Sequence, residues 1–289
     1  MGWQCGGLRW ADGVPVLVWR KGRGRRESAL AYGRDLGFRA LGARSCAGAR
    51  GNVCPVGALV AGRSTGGQCP ECARLDRAHS VAADTVADDP RTYRVYLAWF
   101  GPGMVKVGIT AEERGPARLL EQGAVTFSWL GRGPLMAARR TEELLRTALG
   151  VPDRIPYARK RAVRSALPGP VERAAEIERM HARAVALEGW PQSLERLDFA
   201  AADHVGAFGL DGVAPVTGVV GELVDGGCVA GRLVAAAGPD LHLATADGGL
   251  VVLDTRLMSG WELAAAETGA AVTVPVKGVR NGVVQDGLF

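Results

Sequence analysis

The sequence predicts an α+β protein, and three observations support this fold class. Residues 92–110 show a strand–loop–strand pattern, two helical patterns follow it, and the tail from residue 214 consists of short apolar runs separated by glycine-rich turns. The chain has 289 residues, of which 47% are hydrophobic, so it can bury a sizeable core. We therefore expect a globular protein of two or three small domains.

The amino-terminal residues predict a β-hairpin. The stretch "GVPVLVWR", residues 13–20, reads as a strand, and "GWQCGGLRW" before it reads as its partner across the turn "ADG". Cys5 lies in this hairpin and Cys228 lies in the tail, and both are expected to be small hydrophobic residues in strands.

Four cysteines are concentrated in the window "CAGARGNVCPVGALVAGRSTGGQCPEC". Its second half contains a C-x2-C knuckle, and four thiolates can complete a closed tetrahedral zinc site. This glycine-rich segment buries little apolar surface, so the ion would supply its folding free energy. The sequence therefore predicts structural Zn²⁺, with disulfides or a redox pair as the alternatives and His79 as an outside candidate ligand. The predicted zinc ligands are Cys46, Cys54, Cys69 and Cys72.

Composition limits the location and the partners of the chain. No run approaches the ~20 apolar residues that span a bilayer, and the start "MGWQCGG" is unlike a signal peptide, so we expect no membrane association and a cytoplasmic setting. The net charge is +5, and basic residues cluster in "RKGRGRR" (20–26) and "RIPYARKRAVR" (154–164). Such clusters either contact phosphate backbones or form solvated faces.

The hairpin at residues 92–110 has a well-defined predicted register. If "GPG" (101–103) is the loop, Tyr96 lies opposite Gly108 and Lys106 is its diagonal neighbour on the same face. A one-residue slip would mix the two faces. Gly108 leaves room for the Tyr96 ring or a ligand to approach closely. The opposite, apolar face comprises Val95, Leu97, Trp99, Val105, Val107 and Ile109.

Two helices are predicted after the hairpin. The first, over residues 114–124, places Arg118 and Gln122 four residues apart on one side. The second begins at Pro134, ends before Gly150, and includes Glu142 within its apolar stripe. A carboxylate on a core-facing stripe needs a cation, a metal ion or a hydrogen-bonding partner unless it reaches solvent at the edge of the stripe.

Together, "RVYLAWF", "VKVGIT", "ARLLEQGA" and "TEELLRTAL" resemble the GIY-YIG nuclease superfamily, in the branch whose second signature has a lysine in place of the second tyrosine. The "VY" that ends in Tyr96 resembles the first signature, and Lys106 and Gly108 stand where the second lies. Arg118 resembles the phosphate-binding arginine of that superfamily, and Glu142 resembles its metal-binding glutamate. A cysteine quartet before such a module and a β-rich tail after it are similar to a bacterial and archaeal family of unknown function.

The resemblance implies phosphodiester hydrolysis with one divalent ion. Tyr96 would orient or deprotonate the attacking water, Lys106 would hold phosphate or assist the base, and Arg118 would clamp phosphate oxygens. Glu142 would ligate catalytic Mg²⁺ or Mn²⁺. The predicted substrate-contacting residues are Gly108, Thr110 and Gln122.

The expected organisation has four parts. Residues 1–80 form a β segment with the cysteine knuckle, 91–165 a GIY-YIG-like module with a three-stranded sheet and flanking helices, 166–200 a helical linker, and 204–289 a small antiparallel sheet or barrel. The leading function is a divalent-metal-dependent endonuclease that binds nucleic acid, with DNA favoured over RNA. A binding module of the same fold without hydrolysis, and a zinc-containing adaptor that binds no nucleic acid, remain the alternatives.

Overall fold

The protein is described by a computed structural model that covers residues 2–22, 24–78, 89–152 and 154–279. His79, the outside candidate zinc ligand, lies outside these residues. None of the helices in the described ranges has both the length and the apolar character that crossing a bilayer requires.

The described chain alternates β-rich and helical regions. Its strands in chain order are β1 (Gln4–Ala11), β2 (Val14–Lys21), β3 (Gly24–Ala29), β4 (Asp35–Leu41), β5 (Thr92–Trp99), β6 (Val105–Ala111), β7 (Thr126–Pro134), β8 (Glu195–Arg196), β9 (Ala202–Asp203), β10 (Gly218–Val220), β11 (Cys228–Ala237), β12 (Asp240–Ala244), β13 (Leu250–Asp254), β14 (Glu262–Ala265) and β15 (Val276–Gly278). The helices are α1 (Pro70–Ala78), α2 (Ala117–Gln122), α3 (Leu135–Leu149), α4 (Tyr157–Val163), α5 (Pro170–Val185) and α6 (Val205–Phe208). These elements confirm the α+β class.

A ten-stranded sheet combines strands from both ends of the chain. Its order is β15-β10-β13-β12-β11-β4-β14-β1-β2-β3, so β4 lies between β11 and β14. The pairing is antiparallel except between β10 and β13. The predicted hairpin of β1 and β2 is present, and Asp12 and Gly13 at its turn both have positive φ, as a two-residue type I′ turn requires. The amino-terminal strands and the tail strands therefore share one sheet.

The middle of the chain forms a second sheet in the order β6-β5-β7-β8, with β9 also paired to β7. The β5–β6 register is the predicted one, because Tyr96 is opposite Gly108 and Ala98 is opposite Lys106. Phe100 and Met104 close the loop through the Phe100 N–H, which donates to the Met104 carbonyl at 2.9 Å.

Both faces of this second sheet are buried. The predicted apolar face joins the main core, and α3 packs against β5, β6 and β7. The Tyr96 face is covered by α2 and its flanking residues. The residues that pack together there are Tyr96, Ala98, Phe100, Met104, Leu119, Ala124, Phe127 and Ile155.

The helices begin and end at the residue types expected at helix termini. Pro134 precedes α3 with extended backbone angles, and Gly150 ends it in the left-handed region at φ 64°. Gly123 ends α2 in the same way at φ 70°. Gln122 is therefore the last residue of that helix. The sequence therefore encodes where α2 stops and which side chain it presents next to β5.

Candidate functional site

The four clustered cysteines meet in space. One sulfur from each of the four lies within 4.8 Å of the others, and Cys54 is half-buried whereas the other three are buried. All six cysteines of the chain are free thiols. Four convergent sulfur donors are the set that a soft ion such as zinc prefers, so the cluster could bind a metal ion. The residues that could hold it are Cys46, Cys54, Cys69 and Cys72.

Local backbone geometry aims the sulfurs at one point. The N–H groups of Cys69 and Gly48 donate to Cys46 Sγ at 3.1 and 3.4 Å. Pro70 begins α1, so Cys72 lies within the first turn of that helix and faces the same point. Backbone N–H groups, chiefly that of Ala58, lower the pKa of the Cys54 thiol to about 7, which favours its thiolate form.

A buried arginine anchors the cysteine loops to the ten-stranded sheet. Arg44 exposes 2% of its surface. Its guanidinium donates to the carbonyls of Ser259 at 2.8 Å, Ala61 at 2.8 Å, Ser64 at 2.6 Å and Arg256 at 2.9 Å. It has no ion-pair partner within the ranges that the structure covers. Sequence analysis missed Arg44. Its only signal in the sequence is its position two residues before Cys46.

The second candidate site is centred on Tyr96. The Tyr96 ring packs directly over Gly108, where any Cβ would overlap the phenol. Gln122 Nε2 donates to Tyr96 Oη at 2.8 Å. Tyr96 exposes 2% of its surface, and this burial raises the pKa of its phenol. The phenol is therefore fixed in position and protonated at neutral pH.

Charged side chains surround this phenol. Arg118 and Arg114 act electrostatically on Tyr96 to lower its pKa, whereas Glu142 acts to raise it. Glu142 is half-buried, and Arg118 is exposed, with its guanidinium 3.7 Å from a carboxylate oxygen of Glu121. Tyr96, Arg118 and Glu142 are thus close enough to interact electrostatically, and Gln122 donates a hydrogen bond to the phenol.

Two other predicted residues lie on β6. Lys106 is half-buried and close enough to Lys160 for its charge to contribute to lowering the pKa of that lysine. Thr110 is buried, and its hydroxyl has no hydrogen-bond partner among the described residues. An unpartnered buried hydroxyl retains an unsatisfied hydrogen-bonding group.

Lys160, on α4, is a neighbour of this site that sequence analysis did not single out. Its ammonium donates to the Gln122 carbonyl at 2.9 Å and lies 3.8 Å from the Phe100 ring centroid and 4.5 Å from that of Tyr157. Burial is the main cause that lowers its pKa to about 7. Since Gln122 also contacts Tyr96, Lys160 supports the group that holds the phenol.

The basic segment 154–164 is not a uniform solvated face. Arg161 Nη2 lies 2.6 Å from Asp240 and 2.8 Å from Asp254, and Arg164 Nη1 lies 2.7 Å from Asp240. These pairs are buried and join α4 to the ten-stranded sheet. Lys160, Arg161 and Arg164 are therefore engaged inside the protein, because α4 turns the face that they share with Tyr157 inward. The spacing of three, four and seven residues from Tyr157 is the signal that could have revealed this.

The other basic segment, residues 20–26, remains on the surface. Arg20, Lys21 and Arg25 are exposed on β2 and β3. The Arg26 guanidinium stacks 4.4 Å from the Trp3 ring centroid. This hairpin, like Arg154 and Arg159 of the other segment, is a part of the predicted basic surface that solvent and ligands can reach.

Comparison with known proteins supplies a family. No curated protein and no solved structure matches the chain significantly. One family model matches residues 33–263, which include the cysteine cluster, the Tyr96 site and the strands β4, β10, β11, β12 and β13 of the ten-stranded sheet. The chain therefore belongs to the family described as "Protein of unknown function (DUF2797)".

Proposed function

We propose that the protein binds nucleic acid and hydrolyses phosphodiester bonds at the Tyr96 site with a divalent ion. The observation that carries this proposal is the arrangement around the phenol: Tyr96 packs over Gly108, bonds to Gln122, and interacts electrostatically with Arg118 and Glu142. The resemblance to GIY-YIG nucleases assigns roles to the same residues. The geometry and the resemblance thus favour the same group of side chains.

The geometry refines the proposed roles. The raised pKa of Tyr96 keeps its hydroxyl protonated, so Tyr96 orients water or a phosphate oxygen and does not act as the base. Lys106 and Arg118 supply positive charge for phosphate oxygens. Glu142 would hold Mg²⁺ or Mn²⁺, ions that need few protein carboxylates because substrate phosphates and waters complete their coordination. Such an ion would supply positive charge to stabilise the phosphate.

The burial of Tyr96 favours a second candidate, a nucleic-acid-binding module of the same fold without hydrolysis. Tyr96 exposes 2% of its surface, and a phenol that directs an attacking water must contact that water. If α2 never moves away from β5, the surrounding cations still attract phosphate, but no water reaches the phenol. Cleavage assays separate the two candidates.

We infer further that the cysteine cluster holds one structural Zn²⁺. Three of the four cysteines are buried, and N–H groups of neighbouring residues already donate to Cys46 Sγ. A closed four-sulfur site leaves no open coordination position for catalysis, so the ion stabilises the loops that carry the cysteines. A cytoplasmic setting, which keeps thiols reduced, fits this proposal.

The test of hydrolysis compares two adjacent glutamates on α3. The purified protein is incubated with branched, single-stranded and duplex DNA and with RNA, in Mg²⁺ or Mn²⁺. Glu142→Ala removes the proposed metal ligand, and Glu143→Ala is the matched control because Glu143 is exposed and bound to Arg146 at 2.6 Å. We expect divalent-ion-dependent nicking by the native protein and Glu143→Ala, and none by Glu142→Ala.

Each result selects one candidate. Salt-sensitive binding without nicking would support the module without hydrolysis. Equal nicking by both variants would refute the proposed role of Glu142. If the protein neither binds nor nicks nucleic acid, the zinc-containing adaptor is the hypothesis that remains. Mass spectrometry of the native protein should find about one zinc per chain, and a folded, metal-free protein would end the zinc proposal.

A further inference from the structure

A polar cavity lies beside the cysteine cluster, on another part of the molecule from Tyr96. It has a volume of about 370 Å³ and lies where the β1–β2 hairpin, the cysteine loops and the ten-stranded sheet meet. Arg20, Arg50 and Arg256 all line it. A second cavity of about 380 Å³ adjoins it, shares Gly6, Arg20, Ala47 and Gly51 with it, and is also lined by Lys21 and Glu262. The two cavities form a groove larger than a single phosphate group.

The first cavity has more positive than negative side chains. Asp76 is the one carboxylate among its described lining residues, and it already accepts from the Arg50 N–H at 2.9 Å and from Gln68 Nε2. Arg256 donates to Asp254 at 2.9 and 2.6 Å. Neither Arg20 nor Arg50 has an ion-pair partner within the described chain. Arg20 Nη1 donates to the Ala47 carbonyl at 3.4 Å, which leaves its other N–H groups and the Arg50 guanidinium available to an anion.

The backbone at Gly6 also favours binding of an anion beside Arg20. The β1–β2 register shifts between Cys5 and Gly7, which makes Gly6 the extra residue of a β-bulge without a ladder partner. A Cβ at Gly6 would lie 3.4 Å from Nε of Arg20, so a side chain there would crowd the guanidinium. The glycine keeps the wall open and exposes backbone next to Arg20.

We propose that this groove binds phosphate groups of a nucleic-acid strand through Arg20 and Arg50. Guanidinium groups bind phosphate oxygens bidentately. None of the described residues that line the first cavity is aromatic, so the site suits the backbone and not a stacked base. The adjoining cavity favours a strand over a free mononucleotide, which carries the same phosphate chemistry. The site is separate from Tyr96 and does not depend on hydrolysis there.

The test measures binding without cleavage. The fluorescence anisotropy of a labelled 12-nucleotide single strand reports its binding to the native protein and to Glu142→Ala at several salt concentrations. Mg²⁺ and Mn²⁺ are omitted so that the strand is not cleaved. The probe variant combines Arg20→Gln with Arg50→Asn, since Arg50 has φ 52° and asparagine tolerates that conformation. Arg63→Gln is the control, because Arg63 is an exposed arginine on the same loops that lines neither cavity.

We expect the double variant to bind about tenfold more weakly and to lose about 1.4 from the logarithmic salt slope, which corresponds to two phosphate contacts on a single strand. Arg63→Gln should bind as the native protein does. Competition by AMP at low concentration would assign the site to a mononucleotide and overturn the strand. Unchanged binding by the double variant, or no binding by the native protein, would refute the site.

The zinc content of the double variant tests one other explanation for weakened binding. If Arg20 and Arg50 serve only to offset thiolate charge in the cysteine cluster, the double variant loses metal in parallel with binding, and the proposal fails. Retained zinc with weakened binding supports it. Nuclease activity does not enter either readout, so a failure of hydrolysis leaves this conclusion unaffected.

Discussion

The buried lysine on α4 should make the stability of the protein depend on pH. Lys160 exposes 4% of its surface, and burial lowers its pKa from 10.5 to about 7. Between these values the unfolded chain binds a proton that the folded chain releases, so stability rises as pH increases. Lys160→Met removes this proton and keeps a side chain of similar length.

The magnitude follows from the two pKa values. One pKa unit corresponds to about 1.4 kcal/mol, and integration of the proton difference from pH 7 to pH 9 gives a gain of about 2 kcal/mol. Burial also raises the pKa of the Cys5 thiol, to about 11, which acts in the opposite direction above pH 9. Native protein and variant share that effect, so their difference isolates Lys160.

The assay is urea denaturation at pH 7, 8 and 9 with zinc held constant. The free energy of unfolding of the native protein, minus that of Lys160→Met, should increase with pH by about 2 kcal/mol. Lys277→Met, at an exposed position on β15, is the control and should give a curve parallel to that of the native protein. Parallel curves for Lys160→Met would refute the assignment of this lysine as a buried group with a lowered pKa.

Three other substitutions test individual contacts. Gly108→Ala forces a methyl group into the Tyr96 ring and should lower the free energy of unfolding by about 1–3 kcal/mol, as urea denaturation will measure; a variant of native stability would contradict the packing. Cys72→Ser should reduce the metal content measured by mass spectrometry to well below one ion per chain, and full occupancy would show that Cys72 is not a ligand. Asp240→Asn leaves Arg164 in a buried position without its carboxylate and should cost about 3–5 kcal/mol in the same denaturation assay, so a loss under 1 kcal/mol would refute the importance of that pair.

Local patterns predicted the hairpin and the cysteine cluster. The period of two along β5 and β6 allows one register that separates Tyr96 from the apolar face, and the structure has that register. The four cysteines stand out because the chain has only two others. In both cases the information lies within about 30 residues, where sequence spacing limits the possible geometry.

Long-range pairings left no comparable signal. Arg161 and Arg164 resemble a solvated helix face until their partner Asp240 is known, and that residue lies on a distant strand. The burial of Tyr96 also depends on α2, whose close approach to β5 cannot be deduced from an alternating strand pattern. Sequence therefore indicated which residues share a face but not what covers that face.

The shared sheet has a consequence for synthesis on the ribosome. β4 pairs with β11 and β14. Its backbone N–H and C=O groups therefore lack these strand partners until residues 228–265 have been synthesised. Pairings between strands so far apart in sequence close slowly, since a long loop must be ordered first. Until then the nascent amino-terminal hairpin exposes an unprotected edge, and a chaperone or early metal loading of the cysteine loops would shorten that vulnerable interval.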